Sequence, residues 1–546
     1  MPIRPKLPRF PTSALFLAAL CASSPPSAAA EPSWPRFHGP DGANVSTETG
    51  LLNRWPEQGP RLLWTTTGIG HGFATVSIAG GLIYTAGDID EHLTITAMDT
   101  SGRIRWQVQN GAAWTGSVPG ARATPTVDGN RLYHQNAHGD VVCLDAATGR
   151  KIWGMNMAKR FGGRTGGWGY AESLLVDGPR LICSPGGDTA MAALDKNTGQ
   201  TVWKSPSAGE PASHVSPILA ECRGLRMIVS MSQKSLIGVH ADTGDLLWRF
   251  EHYTPRYVAN CVMPIYHDGH VFVTGGYGKG SALLKIHVDG KKATVEPVWK
   301  TKDLDNRHGG AVLLDGHVYG ASQATNHGKW ACLDWKTGRL AYAERGVGTG
   351  SLTSAGGMLY TLSEHRKVGL VRPTPSGHAL ISQFQIPEGG KGPTWAHPVV
   401  CAGRLYIRHA DRLYAYDVRA ERGRLLEDAL TVLRCAIQLG SGGHEYGQVR
   451  QIQHVEEVGR LQPADGPPRR EEQAVSVPGR RASADQRQRL RPDRYGGPGP
   501  ARGRIGPPAD HRPDAGRTAR LLDRPGQDAQ AHRGGPAACP APSLTH

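Results

Sequence analysis

DGNRLYHQNAHGDVVCLDAATGRKIW, residues 128–153, decides the architecture of this chain. A Gly-centred turn at 128–130 opens into a short apolar run that passes Tyr133. A second apolar run closes on Asp145, a polar turn containing Gly149 follows, and a third run ends on Trp153. Each run is short, β-branched or aromatic, and bounded by Gly, Asp, Asn or Thr. That is strand-and-turn chemistry rather than helix chemistry.

The pattern occurs eight times between Gly80 and Val418. Aligned on the residue that ends the first run, the copies fall at Tyr84, Tyr133, Cys183, Val229, Phe272, Tyr319, Tyr360 and Tyr406. The steps of 41 to 50 residues match the length of one four-stranded propeller blade. A single copy cannot bury its own apolar face, so the copies must stack. The spacing therefore predicts an all-β, eight-bladed propeller of four-stranded antiparallel blades over residues 50–418. A short N-terminal arm, 31–49, precedes it.

The terminal aromatic recurs as Trp106, Trp153, Trp203, Trp248 and Trp299, with Tyr342 and Phe384 holding the place in copies six and seven. A large aromatic at one fixed place per repeat reads as packing between neighbouring blades rather than as a ligand cage. The eighth copy, AGRLYIRHADRLYAYDV (402–418), stops before any such residue. GPRLLWTT (59–66) has a Trp-terminated strand with no blade of its own. Trp64 is thus expected on the outer strand of blade eight, closing the ring and leaving no cut edge.

Of the 546 residues, not all belong to this ring. Residues 1–30 read as a secretory signal: Arg4, Lys6 and Arg9 form the basic start, Ala14 to Ala22 the apolar core, and 28–30 a small-residue cleavage site. The apolar stretch is shorter than the roughly 20 residues that span a bilayer. Leu20 sits where a lipoprotein reading of Cys21 needs a small residue. An exported, periplasmic or envelope-associated protein without a transmembrane segment is expected.

After Ala420 the composition changes abruptly. The last 126 residues hold 20 Arg and 15 acids, and no Lys, Phe, Trp, Asn or Met. Such a segment, 419–546, buries too little apolar surface to offset its ordering entropy, so disorder is expected. Two origins stand open: a genuine basic extension, or a frameshifted end of a GC-rich gene.

The formal net charge is +15, of which the tail carries +5 and the signal +3. The remainder is ordinary for a large domain with interspersed signs, which argues against nucleic acid as a partner. Cys143, Cys183, Cys222, Cys261, Cys332 and Cys401 lie in the ring. Cys143 and Cys332 share a strand place, so buried inert thiols are expected, with disulfides of unspecified pairing the alternative in an oxidising compartment.

The motif carried by LDAATGRKIW (144–153), LDKNTGQTVW (194–203) and HADTGDLLW (240–248) resembles the pyrroloquinoline-quinone (PQQ) type of propeller repeat. The resemblance covers residues 34–418, including the opening WPRFHGPDG (34–42). It implies a place in the quinoprotein dehydrogenase-like and BamB-like superfamily, among exported bacterial single-propeller proteins. That superfamily implies two functions. Quinoprotein dehydrogenases hold PQQ and calcium in the central funnel and oxidise alcohols or sugars. Other members, such as the propeller lipoprotein of the outer-membrane barrel assembly machinery, are docking scaffolds.

A funnel is lined by the starts of the innermost strands: ARATP (121–125), YAESL (170–174), SHVSP (213–217), NCVMP (260–264), RHGGA (307–311), GTGSL (348–352) and WAHPV (395–399). These supply Arg122, Glu172, His214, Asn260, His308, His397 and Trp395. In the enzyme reading, Glu172 and Asn260 would serve a calcium and Arg122 a carboxylated cofactor. Trp395 would stand beside them, and one of His214, His308 or His397 would act as base. Against it stand a single carboxylate among the starts and the absence of the adjacent cysteine pair that a methanol-dehydrogenase-like site uses. The residues alone assign no metal set. The Gly-rich RFGGRTGGWGY (160–170) lacks the strand–loop–helix context of a phosphate cradle and is expected to act as a flexible lid over the funnel. The expected function is a monomeric binding or scaffold protein of the envelope, its partner an envelope protein or a small molecule in the funnel. The alternative is a PQQ-dependent alcohol or sugar dehydrogenase.

Overall fold

The computed structural model describes residues 32–252, 260–323 and 328–420. The signal expected at 1–30 lies outside the described residues, as does the tail from 421 onward. Eight antiparallel sheets form the ring. Their strands come from residues 77–112, 126–156, 175–204, 218–251, 265–301, 311–344, 350–385 and 399–417, here blades 1 to 8. Within each blade consecutive strands are neighbours, from the axis outward.

Blade 8 has only three strands of its own, and Arg61–Thr66 supplies the fourth, antiparallel to Arg412–Asp417 with Trp64 opposite Ala415. The expected closure by an N-terminal strand is what the ring contains.

The core is divided in the way a stacked repeat requires. Eight apolar clusters are present among the described residues, and each spans the boundary between two adjacent blades. Tyr133 and Cys143 of blade 2, for example, pack on Leu181, Cys183 and Leu194 of blade 3. The middle strands of a blade are buried on both faces, which is why they read as continuous apolar runs. The outermost strands, such as Ile104–Ala112, are mostly exposed.

The terminal tryptophans make the boundaries specific. Trp106 lies against Gly149 of the next blade and donates from Nε1 to the Ala146 carbonyl at 3.2 Å. A Cβ on Gly149 would stand 2.8 Å from that ring, and the glycine has φ +75°. The ATGR turn thus needs glycine both for its backbone and for the approach of the indole. All six cysteines of the ring are unpaired, and five are buried.

The arm is more than an approach to the ring. Trp34 exchanges two backbone hydrogen bonds with Ile78 on the innermost strand of blade 1. Val45–Ser46 then adds a parallel strand to the inner edge of blade 7, opposite Ser354 and Ala355. Between these anchors the chain crosses the axis, with His38 and Asn44 buried.

Candidate functional site

Extended backbone alternates its side chains, so along a strand start every second residue tends to the axis. A belt of hydrogen bonds sets that register. Thr75 N donates to Thr124 Oγ1 at 3.1 Å, Thr124 N to Ser173 Oγ at 3.0 Å, and Ser173 N to Ser216 Oγ at 2.8 Å. Two residues before each of these four come Phe73, Arg122, Ala171 and His214. With Cys261, His308 and Trp395 they line a central cavity of about 330 Å³. Its other walls include Trp168, Tyr277 and Arg307, and Phe37 and His397 also line it.

The structure therefore brings Arg122, His214, His308, His397 and Trp395 together at the cavity. Glu172 and Asn260, paired for a metal in the enzyme reading, do not line it. Glu172 is buried one residue out of phase with Ala171 and Ser173, and its Oε1 accepts from Ser184 N at 2.6 Å. Asn260 donates from Nδ2 to the Gln233 carbonyl at 2.8 Å. Strand parity, counted from the Thr124, Ser173 and Ser216 places, selects Ala171 and Cys261 in their stead. Phe37 carries no repeat signal, because it comes from the arm. Phe73 holds the blade 1 place that corresponds to Arg122.

Two of the described arginines face the cavity. Arg122 donates from Nη2 to the carbonyls of Ser117 (3.1 Å) and Val118, and its guanidinium lies 5.8 Å from the Trp114 ring centroid. Arg307 lies 5.6 Å from the Trp395 ring centroid and donates to Glu364 Oε1 at 3.1 Å. Glu364 also holds His308 Nε2 at 3.2 Å. Burial pushes this carboxyl up, but the His308 hydrogen bond and the nearby Arg307 charge outweigh it and leave it below its ordinary range. His308 Nε2 lies 3.2 Å both from Glu364 Oε1, which only accepts, and from Arg307 Nη2, which only donates.

The histidines are neutral at pH 7. Burial takes His214 and His397 down to about 4, and lowers His308 as well. His397 Nε2 meets the His308 carbonyl at 2.8 Å, which requires a donor. Its Nδ1 is then the acceptor for His38 Nε2 at 3.0 Å. This pair ties the arm to the cavity wall. Neither ring nitrogen of His214 has a well-formed hydrogen bond.

The loop expected as a flexible lid is pinned. After the short helix Met157–Phe161, Arg164 N bonds to the Pro185 carbonyl at 3.1 Å. The Arg164 carbonyl accepts from Ala212 N at 2.8 Å, and Tyr170 N reaches the Ala137 carbonyl at 3.0 Å. Trp168 is the residue this loop sends to the cavity.

The lining does not fit a calcium–quinone pair. Among the described residues it presents two guanidiniums and no carboxylate, whereas calcium needs six to eight oxygen ligands with compensating negative charge. Among the described residues no group of three or more His, Cys, Asp or Glu is arranged to hold a metal, and no helix is long and apolar enough to cross a membrane.

Comparison with known proteins follows the repeat. The family profile described as outer membrane protein assembly factor BamB matches residues 35–164 and 91–344. The outer membrane protein assembly factor BamB of Shewanella oneidensis is 23% identical over 263 residues, which cover 45% of this chain and 63% of that protein. Its counterpart from Nitrosomonas eutropha is 29% identical over 170 residues, 31% of this chain and 36% of that protein. The chain thus spans less than two thirds of either relative. A solved europium-containing methanol dehydrogenase superposes with a TM-score of 0.51 at 12% identity, covering 69% of this chain and 89% of that structure. At that identity the likeness is one of fold.

Proposed function

This chain belongs to the family of the outer membrane protein assembly factor BamB, and from that premise we propose that it is a scaffold of the cell envelope, working through its surface rather than through catalysis. The observation that carries the reading is the reach of the family match, which runs through the arm and blades 1 to 6. The same kinship supports an exported, envelope-associated location, in keeping with the expected signal. A ring whose eight apolar clusters all lie between blades is a rigid platform for contacts made at its rims.

The purified ring, immobilised and cross-linked in a detergent-extracted membrane fraction of its own source cells, tests this. Reproducible recovery of identified outer-membrane assembly proteins supports the scaffold role, and a clean negative counts against it. Calorimetric titration with PQQ and calcium, followed by a dye-linked alcohol oxidation assay, addresses the dehydrogenase alternative. Tight binding with turnover would reverse the order of the two readings.

A further inference from the structure

The scaffold role makes no use of the central cavity, whose chemistry is nonetheless specific. Among the described residues of its lining, only Arg122 and Arg307 carry a formal charge at neutral pH. Arg307 shares Glu364 with His308 and Gln323. Arg122 has no carboxylate within ion-pair distance among the described residues. Asp88 acts on it only from farther away, and Arg122 Nη1 is buried without a hydrogen-bond partner. Glu364 thus matches Arg307, and Arg122 is left without a contact carboxylate among the described residues, in surroundings where burial strengthens any charge–charge contact.

Much of the rest of the lining is aromatic, interspersed with Val118, Ala171, Ser173, Ser216 and Cys261. Trp395 lies 4.9 Å from Phe73 and 5.0 Å from His308 between ring centroids, and Trp168 and Tyr277 add further faces. A volume of about 330 Å³ sits at the low end of small-ligand sites, roughly 300–1,000 Å³, which suits one ring system bearing one acidic group.

We propose that this cavity binds a monocarboxylate carrying an aromatic ring, with the carboxylate at Arg122 and the ring against Trp395 and Phe73. Arg122 Nη2 is taken by the Ser117 and Val118 carbonyls, so Nη1 is the guanidinium nitrogen left to donate a charge-assisted hydrogen bond to the carboxylate. The flat faces take the ring in offset or edge contact. No metal is needed to neutralise a single negative charge. The same chemistry is offered by a free aromatic acid and by the aromatic last residue of a polypeptide. The proposal does not rest on the scaffold reading.

Calorimetry on the purified protein with chelator present tests it, using two acid–neutral pairs: indole-3-acetate against indole-3-ethanol, and Gly-Gly-Trp against its C-terminal amide. At least one acid is expected to bind roughly tenfold or more tighter than its neutral partner, the worth of one charge-assisted contact. Arg122→Gln is expected to remove that preference. Tighter binding of indole-3-acetate assigns the site to a small molecule, and tighter binding of the tripeptide assigns it to a chain end. Equal binding of acid and neutral forms overturns the proposal. So does the absence of heat with either acid at millimolar concentration, or an acid preference unchanged in a folded Arg122→Gln protein. If that variant does not fold, the acid–neutral comparison on the unaltered protein still decides.

Discussion

The indole of Trp64 lies against Gly102 across the seam of the ring. A Cβ built on Gly102 would stand 2.7 Å from the indole, and Trp64 Nε1 donates to the Thr100 carbonyl at 3.0 Å. Thr66 Oγ1 adds a bond to the Gly102 carbonyl at 2.6 Å. The same docking joins Trp153 to Gly199, Trp203 to Gly244 and Trp299 to Gly338. Blade 8 is therefore bound to blade 1 by the contact that binds the interior blades, although its tryptophan comes from the other end of the chain.

Gly102→Ala tests that seam. Gly102 has φ +84° and no room for a methyl group, whereas Gly129 has φ +58° and nothing within 4 Å. Alanine at 129 is expected to cost about 1 kcal/mol for the left-handed backbone alone. Alanine at 102 adds a clash with the ring, bringing the loss to about 2–4 kcal/mol. Urea unfolding of the two variants, compared at constant m-value, measures the difference; equal losses would remove the docking role.

Arg408→Met addresses the same boundary from inside. Arg408 is fully buried in blade 8 and donates to Thr85 Oγ1 at 2.6 Å, to the Gly70 carbonyl at 2.8 Å, to the Ala74 carbonyl at 3.2 Å and to the Ala86 carbonyl of blade 1. Methionine keeps an unbranched apolar stem but leaves several buried acceptors unpaired. The expected loss is about 3 kcal/mol or more, since each orphaned group costs about 1–3 kcal/mol. A thermal midpoint within a degree of the parent would contradict the clamp.

Glu172→Gln should stabilise the protein at alkaline pH. Burial raises this carboxyl from 4.5 to about 7 in the folded state, and its Oε2 has no hydrogen-bond partner. Below pH 4.5 the folded and unfolded acids are both protonated. As pH rises through 7 the folded state must either keep the proton or bury a charge, so stability falls. The glutamine variant is expected to gain about 1–3 kcal/mol at pH 8 and little at pH 5. Denaturant unfolding at the two pH values gives the comparison, and an equal effect at both would argue against a buried acid.

Acid should act in the opposite sense through the histidines. Burial lowers His134, His214, His252, His378 and His397 from 6.5 to about 4. Between these values the unfolded chain binds protons that the folded chain does not. Their contribution is intact above pH 6.5 and lost as pH falls toward 4. A thermal midpoint that declines across this window, with net proton uptake on unfolding, is the expected result. A flat profile would mean that the buried rings accept protons without opening the fold.

Much of the architecture was legible because a repeat states its own geometry. The spacing of Tyr133, Cys183 and Val229 sets the blade length, the ATGR and NTGQ turns set the strand boundaries, and Trp64 without a blade pointed to the closure. The cavity was legible as a region but not residue by residue. Strand starts have no turn signal to anchor them, and a phase error of one residue exchanges Glu172 for Ala171 and Asn260 for Cys261. The loop at 160–170 looked mobile from its glycines, yet backbone bonds to Ala137, Pro185 and Ala212 hold it, and those partners lie in other parts of the chain.

The sequence alone determined a closed ring of eight, because period, turn chemistry and terminal aromatics are local and repeat. Tertiary structure alone decided what the axis contains. Arg122, His308, Trp395 and Phe37 come from three blades and the arm, and nothing in their local sequence makes them neighbours. Closing the ring brings them within reach and turns Glu172 away. Among the described residues it also leaves two guanidiniums and no carboxylate at the centre, since facing is set by the register of the interblade hydrogen bonds and not by residue type.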